Sequence, residues 1–236
     1  FILEDFKKAG IHTQYILTSE SEETGQAFIT VDEAGQNTIL VYGGANMTLS
    51  ATDVEMSADA FIGADFVVAQ LEVPFEAIEQ AFKIARKQNI TTVLNPAPAI
   101  ELPKSLLELT DIIIPNETEA ELLTGISINN ESDMKETATY FLDLGISAVL
   151  ITLGEQGTYC AYQEQYKMIP ACNVKAIDTT AAGDTFIGAF LSELNKDLSN
   201  IESAIRLANQ ASSLTVQRKG AQASIPTRKE VEAEYN

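Results

Sequence analysis

DTTAAGDTF, residues 178–186, has the composition of a polar turn that runs directly into a helix. Ala181, Ala182 and Gly183 have little or no side chain to shield the backbone N–H groups of the first helical turn. Those groups have no partner inside the helix, and with the helix dipole they form a site for an anion, typically a phosphate. Apolar residues follow at helical spacing: Phe186, Ile187, Ala189, Phe190, Leu191 and Leu194.

Asp184 lies in the same turn and would repel a phosphate that was only stored there. Its place is explained if the carboxylate accepts a proton from a hydroxyl group that attacks the phosphate. The alternative is that Asp178, Thr179 or Thr180 is only an N-cap and Asp184 complements the helix dipole. Caps alone do not need Ala-Ala-Gly before an acid, so we favour a phosphoryl-transfer site.

The stretch resembles the C-terminal signature of the ribokinase (PfkB) family of sugar and nucleoside kinases. The resemblance implies that Asp184 is the catalytic base and a substrate contact, and that the backbone of Ala182 and Gly183 is the anion hole. It covers essentially the whole chain. It also implies a ribokinase-like α/β fold: a mostly parallel sheet with helices on both faces, plus a small β lid.

Composition and charge exclude several classes of partner. Of the 236 residues 45% are hydrophobic, which suits one large or two small globular domains. The net charge of −19 argues against nucleic acid, which needs a basic surface, and against anionic membranes. No apolar run reaches the length of a bilayer span, and no signal peptide is visible. We therefore expect a cytoplasmic protein.

The two cysteines, Cys160 and Cys172, are not expected to form a disulfide. If residues 157–171 form a hairpin, Cys160 lies opposite about Met168, and Cys172 lies roughly 13 Å farther along at ~3.3 Å per residue. Free thiols and a reducing compartment are the simpler account. The lone His12 cannot form a histidine-rich metal site, and we expect it at the surface or in a strand.

The chain begins at Phe1 in a segment typical of the middle of a helix. The N-terminal strands, the early sugar-binding Asp and the Gly-Gly motif of the family have no counterpart here. Gly43-Gly44-Ala45-Asn46 follows the lid, whereas that motif precedes it. We expect one ribokinase-like domain, residues 1–236, that lacks its N-terminal portion and part of the sugar pocket. Its lid covers approximately residues 13–45.

Strands and helices alternate from residue 64 onward, which predicts right-handed βαβ units and a largely parallel sheet. The predicted strands are 11–17, 25–31, 37–42, 65–70, 91–94, 111–114, 148–152, 157–162, 166–171 and 174–177. The predicted helices are 74–88, 117–123, 131–144, 181–195, 201–217 and 228–234. Ligands bind at the carboxyl ends of strands in such sheets. Four groups should therefore share one edge: Glu72, Asn116 with Glu119, residues 152–157 and residues 178–184.

Asn116 and Glu119 fit two interpretations. An Asn N-cap with Glu three residues later is a capping box. The resemblance implies that Asn116 approaches the nucleotide phosphates and that Glu119 orients water on Mg²⁺. Both can hold together, because a cap and a phosphate site share one helix end and Mg²⁺ usually keeps several waters.

TLGEQG, residues 152–157, is a glycine-rich turn that could be only a tight connection. It is neither Gly-x-Gly-x-x-Gly nor a Walker loop, which argues against an NAD-dependent dehydrogenase and a P-loop ATPase. The resemblance implies a nucleotide-binding loop whose glycines let the backbone approach ATP. The implied nucleotide ligands are Asn116, Thr152, Leu153, Gly154, Glu155, Gln156, Gly157, Gly183 and Asn209.

Glu72 follows a predicted strand and could be only a solvated or helix-entry acid. The resemblance implies that it bonds a sugar hydroxyl beneath a lid formed by the early hairpin. Ala27 and Ile29 share one side of the lid by the two-residue period, and Ile39 is the third residue expected to face the sugar. The exposed edge and apolar face of the lid predict a homodimer through it.

Residues 218–224 form a polar loop after a helix and could be only a C-terminal cap. The resemblance implies a monovalent-cation site, and a shell of carbonyl oxygens suits K⁺. The expected ligands are Asp178, Thr180, Thr215, Arg218, Gly220 and Ser224. Most would contribute backbone carbonyls, so the charged head of Arg218 can point away.

The resemblance implies ATP-dependent phosphorylation of the primary hydroxyl of D-ribose to ribose 5-phosphate, with Mg²⁺ and K⁺. The alternatives within the class are fructose, a deoxyribose or a nucleoside as acceptor. An alternative of another class is a catalytically silent nucleotide- or sugar-binding regulator, since fold does not fix function. The intact Asp184 favours the enzyme.

Overall fold

The strands form a six-stranded sheet and a separate two-stranded sheet. The structure is a computed structural model that describes residues 2–31 and 37–235, apart from the side chains of 29–31 and 37–39. The strands are β1 (Gln26–Val31), β2 (Asn37–Tyr42), β3 (Phe66–Ala69), β4 (Thr91–Leu94), β5 (Ile112–Ile113), β6 (Ala148–Thr152), β7 (Gly157–Tyr162) and β8 (Gln165–Pro170).

The large sheet has the strand order β3-β4-β5-β6-β7-β8. Strands β3 to β6 are parallel, and β7 and β8 are antiparallel. The helices are α1 (Ile2–Lys8), α2 (Ala51–Met56), α3 (Phe75–Lys87), α4 (Lys104–Glu108), α5 (Glu117–Thr124), α6 (Glu131–Asp143), α7 (Ala182–Glu193), α8 (Ile201–Thr215) and α9 (Arg228–Tyr235). None of these is long and apolar enough to cross a membrane.

The sheet is buried on both faces, which parallel strands require. Ile112 and Ile114 pack with the apolar residues of α7 and α8. Ile113, between them in sequence, packs on the opposite side with Phe141 of α6. This alternation follows from the two-residue period of a strand. The predicted fold, a mostly parallel sheet with helices on both faces, is confirmed.

Two predicted strands are wrong. Residues 11–17 and 174–177 pair with no strand in the part of the chain that the structure describes. The N–H of Ile177 instead donates to the carbonyl of Val216 at the end of α8, at 2.7 Å. The β-branched residues do favour extended backbone. A strand also needs a neighbouring strand, however, and the outer strands of this sheet are β3 and β8.

The β7–β8 hairpin differs from the prediction by one residue. Cys160 pairs with Lys167, not with Met168. The strands are joined by a two-residue turn, Gln163-Glu164, whose φ values of 48° and 62° suit a tight hairpin. Both cysteines are free, as predicted. Burial raises the pKa of the Cys160 thiol to about 12.

The lid is the antiparallel pair β1–β2, which confirms the predicted early hairpin. Phe28 pairs with Leu40 on one face, and Ala27 pairs with Val41 on the other. Phe28 and Leu40 are 53% and 70% exposed, so the first face is apolar and uncovered. The turn at 32–36 and the side chains of residues 29 and 39 lie outside the described part.

Candidate active site

The turn before α7 has an open N-terminus. Ala181 adopts the left-handed conformation, with φ 61° and ψ 12°, and α7 begins at Ala182. The N–H of Ala182 donates to the carbonyl of Thr179 at 3.2 Å, so this half of the predicted anion hole is engaged within the turn. A Cβ added at Gly183 would meet nothing within 4 Å. The backbone at Gly183 is therefore accessible to a ligand.

A cleft of about 400 Å³, here called the α7 cleft, opens at this helix end. Its wall confirms that residues following separate strands share one edge of the sheet. The predicted site residues that line it are Glu72, Asn116, Glu119, Thr152, Ala182, Gly183 and Asp184. Its lining also includes Gln70 and Asn95, which the sequence analysis did not name as site residues. Both directly follow strands at this edge, and that position was the available signal.

Asp184 is held by one of these missed residues. The Nε2 of Gln70 donates to the Oδ1 of Asp184 at 3.2 Å. The same nitrogen donates to the Oδ1 of Asn95 at 2.7 Å. The Nδ2 of Asn95 donates in turn to the carbonyl of Ile114 at 2.7 Å. The predicted base is therefore the end of a chain of three hydrogen bonds.

Asn116 and Glu119 form the capping box that begins α5. The Asn116 Oδ1 accepts from the Glu119 N–H at 2.8 Å. The Asn116 N–H donates to the Glu119 Oε2, and its Nδ2 donates to Oε1, both at 2.9 Å. Burial raises the pKa of Glu119, and the hydrogen bond from the Asn116 backbone opposes that shift. A nearby cation stabilises the charged form of a buried acid. Glu119 can therefore cap the helix and also face a metal ion.

The 152–157 turn divides into an exposed part and a packed part. Thr152 lines the α7 cleft, and residues 154–156 are exposed. The backbone of Leu153 pairs with the carbonyl of Gly157 at 2.8 Å. Gly157 has φ 111°, and a Cβ there would overlap the carbonyl of Ile169 on β8. The hairpin therefore accounts for Gly157 without any ligand.

Asn209 is buried on α8 and its polar atoms bind protein groups. Its Oδ1 accepts from the hydroxyl of Thr158 at 2.9 Å. Its Nδ2 donates to the carbonyls of Ile169 and Pro170, both at 3.1 Å. The side chain thus holds the hairpin to α8. The nucleotide contact expected of Asn209 stays a prediction.

Asp178 joins the 178–180 turn to the loop after α8. Its Oδ1 accepts from the Thr180 N–H and its Oδ2 from the Gly220 N–H, both at 3.0 Å. The Gly220 bond, followed by the bonds of Thr180, lowers the pKa of Asp178 to about 2. The carbonyl of Val216 accepts from the Asp178 N–H at 3.1 Å. The fold therefore brings Asp178 and Gly220 together.

The other side chains expected at the cation site are engaged elsewhere. The Thr215 hydroxyl donates to that of Thr185 at 3.0 Å. The Ser224 hydroxyl donates to the Ala221 carbonyl at 2.6 Å. Arg218 points its guanidinium at Glu230, 2.8 Å away. Within the described ranges no three His, Cys, Asp or Glu side chains form a group that could hold a metal, so a cation here would rely on backbone oxygens.

A second cleft of about 360 Å³, here called the lid cleft, lies beneath β1 and β2. Ala27 and Glu72 line it, and Glu72 lines the α7 cleft as well. Glu72 is therefore the place where the two clefts meet. Several lining residues were missed by the sequence analysis: Gln26, Val41, Tyr42, Gly43, Asn46 and Met47. Gly43 and Asn46 belong to the segment distinguished above from the N-terminal Gly-Gly motif.

Comparisons with known proteins agree with this geometry. The ribokinase of Staphylococcus aureus is 64% identical over 231 residues, which are 98% of this chain and 76% of that protein. The deoxyribokinase of Salmonella typhi is 34% identical over 226 residues, 95% of this chain and 74% of that protein. The solved structure of Arabidopsis thaliana ribokinase complexed with ribose and ATP is 33% identical with a TM-score of 0.85, covering 95% of this chain and 73% of that one.

The match to a family model extends over most of the chain. The model described as pfkB family carbohydrate kinase matches residues 1–228. That span includes both clefts and the turn before α7. The chain therefore belongs to the pfkB family of carbohydrate kinases.

Proposed function

We propose that this protein transfers the γ-phosphoryl group of ATP to the primary hydroxyl of D-ribose and releases ribose 5-phosphate and ADP. The observation that carries the proposal is the junction of the two clefts at Glu72. One cleft has the open helix end and Asp184, and the other is roofed by the lid. The higher identity to a ribokinase, 64% against 34% for a deoxyribokinase, favours ribose over deoxyribose.

Ribose occupies the lid cleft in this proposal. Glu72 accepts a hydrogen bond from a sugar hydroxyl, and Ala27 contacts the sugar from the lid. Ile29 and Ile39 stay proposed as further lid contacts. Asp184 then accepts the proton of the primary hydroxyl while that oxygen forms a bond to the γ-phosphorus of ATP. The bond from this phosphorus to the bridging oxygen of ADP breaks.

The N-terminus of α7 stabilises the charge of the moving phosphoryl group. The N–H of Gly183 is directed at this charge, and the helix dipole adds to its effect. The N–H of Ala182 binds the same charge once its hydrogen bond to the carbonyl of Thr179 has broken. Asn116 and Thr152 contact the phosphates from the opposite wall of the α7 cleft. Residues 153–156, of which 154–156 are exposed, form the adenosine side of the nucleotide site.

Mg²⁺ fits the α7 cleft because a buried carboxylate, Glu119, lines it beside the phosphate positions. When bound, the ion supplies charge neutralisation between ATP phosphates. Glu119 holds it through water, since its two oxygens already accept from Asn116. K⁺ would sit at the Asp178–Gly220 loop, where the fold brings the Asp178 carboxylate to the backbone of Gly220 and carbonyls of the loop would complete its shell. There Thr180, Thr215, Arg218, Gly220 and Ser224 contribute backbone oxygens or position the loop.

The assembly and location are proposed on separate observations. The uncovered apolar face with Phe28 and Leu40 packs on a second copy of the chain, giving a homodimer through the lid. Two free cysteines fit the reducing cytoplasm, which also supplies ATP. Sedimentation at micromolar concentration tests the first point, and a monomer there contradicts it.

A sugar panel tests the proposed substrate. ADP release is measured with ribose, 2-deoxyribose, fructose and a nucleoside at equal concentrations. We expect the highest kcat/KM with ribose. A preference for any other acceptor overturns the choice of sugar. Binding of ATP and sugar without turnover of any member would instead support the silent regulator.

A further inference from the structure

We infer that Gln70 and Asn95 are positioning residues that fix the orientation of the Asp184 carboxylate. This inference rests on the proposed function, in which Asp184 is the base. Both side chains lie in the α7 cleft, and their hydrogen bonds can all form only when each amide group points in one direction.

The register of the sheet makes Gln70, Asn95 and Ile114 neighbours. Ala69 pairs with Leu94 at the end of β3–β4, and Leu94 pairs with Ile113 at the end of β4–β5. The next residue of each strand is therefore adjacent to the next residue of its neighbour. The N–H of Asn95 still reaches the carbonyl of Ala69 at 3.0 Å, so the ladder continues into this position.

The two-residue period of the strands directs both side chains toward α7. Val93 belongs to the buried cluster that packs against α7 and α8, and Phe66 packs against that cluster. Asn95 is two residues beyond Val93, and Gln70 is four residues beyond Phe66. Both therefore emerge on the α7 side of the sheet. This explains how residues at two strand ends reach the first turn of that helix.

The direction of both amides is set by a backbone carbonyl that can only accept. Because the carbonyl of Ile114 needs a donor, Asn95 must turn its Nδ2 toward it and its Oδ1 toward Gln70. Gln70 must then present its Nε2, and that nitrogen also faces Asp184. Reversing either amide would place two acceptors against each other. Asn95 is only 8% exposed, so water is poorly placed to relieve such a clash.

The hydrogen bond from Gln70 gives the two carboxylate oxygens of Asp184 different roles. The carboxylate is on an exposed residue in the first turn of α7 and would otherwise rotate freely. A donor fixed on Oδ1 holds that oxygen and leaves Oδ2 to accept the proton of the sugar hydroxyl. Holding a reacting group in one orientation lowers the entropic part of the barrier.

A neutral amide also suits the charges in the cleft. The titratable residues that line it with Asp184 are Glu72, after β3, and Glu119, on α5. Both are acids, so a third acid beside Asp184 would compete with it for a proton. Gln70 provides a donor without adding charge. This predicts different kinetic defects for an apolar and an acidic replacement at the same position.

The first test compares Gln70→Met and Gln70→Glu in the intact protein, with Gln88→Met and Gln88→Glu as controls. Gln88 is exposed at the end of α3, outside both clefts. We expect Gln70→Met to lower kcat about tenfold, the effect of one lost hydrogen bond, with KM for ATP unchanged. We expect Gln70→Glu to move the acid limb of the kcat profile about one pH unit upward, because two carboxylates share a proton.

The second test measures whether Asn95 acts through Gln70. We expect Asn95→Ala to lower kcat less than Gln70→Met does. The double variant should have the kcat of Gln70→Met alone, because the amide whose direction Asn95 fixes is gone. Thermal unfolding of each variant shows whether it is folded. If Asn95→Ala fails to fold, the two Gln70 variants decide the question alone.

The outcomes separate the inference from the proposed function. Wild-type turnover of ribose with Gln70 variants that match their Gln88 controls overturns the inference and leaves the proposed function intact. A higher KM for ribose with unchanged kcat also overturns it, since Gln70 would then only bind sugar. A wild-type protein with no turnover, under conditions where ATP binds, overturns both. A lower kcat together with the shifted pH profile supports the inference.

Discussion

Two glycine-containing turns, before α7 and before β7, were both expected to bind the nucleotide, but Gly183 and Gly157 are set in different backbone environments. Gly157 has φ 111° and no room for a Cβ beside the carbonyl of Ile169. Gly183 has neither a positive φ nor a neighbour within 4 Å of a Cβ. The fold itself therefore requires a glycine at position 157, whereas nothing in the described structure requires one at position 183, where we propose that a phosphate approaches.

The acids in the two turns differ in whether they line the α7 cleft. Asp184 lines the α7 cleft and faces Gln70. Glu155 is exposed in the 3-10 turn before β7 and does not line that cleft. Of these two acids, only Asp184 therefore lies in the cleft where phosphoryl transfer is proposed.

The largest expected effect is that of Asp184→Asn. We expect kcat to fall by about 10²–10⁴, because the amide cannot accept the hydroxyl proton, while ATP affinity changes little. Steady-state kinetics and calorimetric ATP titration measure the two quantities. Asp143→Asn on the exposed end of α6 is the matched control. A variant with more than about a tenth of wild-type kcat, when chemistry is rate-limiting, would remove Asp184 from the mechanism.

The next largest effect is expected from a substitution at Gly183. Gly183→Ala should lower kcat/KM for ATP by roughly 10–100-fold, because a methyl group occupies the space where a phosphate approaches. Its melting temperature should not fall, since alanine is the better helix former. Gly188→Ala, in the same helix and also without neighbours within 4 Å of its Cβ, is the control. Equal kinetics for the two variants would show that no phosphate approaches Gly183.

Gly157→Ala should have the opposite profile. The substitution places a Cβ against the Ile169 carbonyl in a conformation that alanine rarely adopts. We expect a loss of about 1–3 kcal/mol in the free energy of unfolding, measured by denaturant titration. The kcat of the folded fraction should stay near that of the wild type. Unchanged stability with a raised KM for ATP would reverse the assignment of the two turns.

A smaller effect is expected from the monovalent cation. At constant ionic strength, replacing Na⁺ with K⁺ should raise activity, and Asp178→Ala should abolish the difference. The ion would hold the 178–180 turn and so preorganise the backbone that follows it. Equal rates in K⁺, Na⁺ and a bulky organic cation would show that the loop holds no functional ion.

Asp178 is also expected to make the stability of the folded protein depend on pH in the acidic range. In the folded protein its pKa is about 2, below the ordinary aspartate value of 3.8. Its contribution to stability is therefore complete above that value and is lost as the pH falls through 3.8 toward 2. Melting temperatures of the wild type should decline more steeply in this window than those of Asp178→Asn. Parallel curves would contradict the bond to Gly220.

The sequence predicted the fold where local patterns are strong. The bounds of β4 and β6 match the predictions to the residue, because each strand is rich in β-branched residues. Residues 174–177 failed because their partner is Val216, a contact no local pattern encodes. The six-residue α2 and five-residue α4 were missed because they are too short to display a helical period.

The site was predictable to the extent that topology places strand ends at one edge. That rule brought Glu72 and Asn116 together correctly, whereas Asp184 lines the same cleft although no strand of the described residues leads directly into its turn. It did not reveal the bond between Gln70 and Asp184, which are 114 residues apart. Nor did it reveal which glycine the fold itself requires. Both depend on side-chain and backbone contacts that appear only in three dimensions.

Phosphorus-31 NMR of the protein with ATP, Mg²⁺ and D-ribose is the decisive measurement, because it identifies the acceptor of the phosphoryl group. We expect ribose 5-phosphate and ADP to increase in equal amounts and Asp184→Asn to form neither at a comparable rate. Formation of inorganic phosphate without a sugar phosphate, or undiminished ribose 5-phosphate from Asp184→Asn, would contradict the proposed phosphoryl transfer.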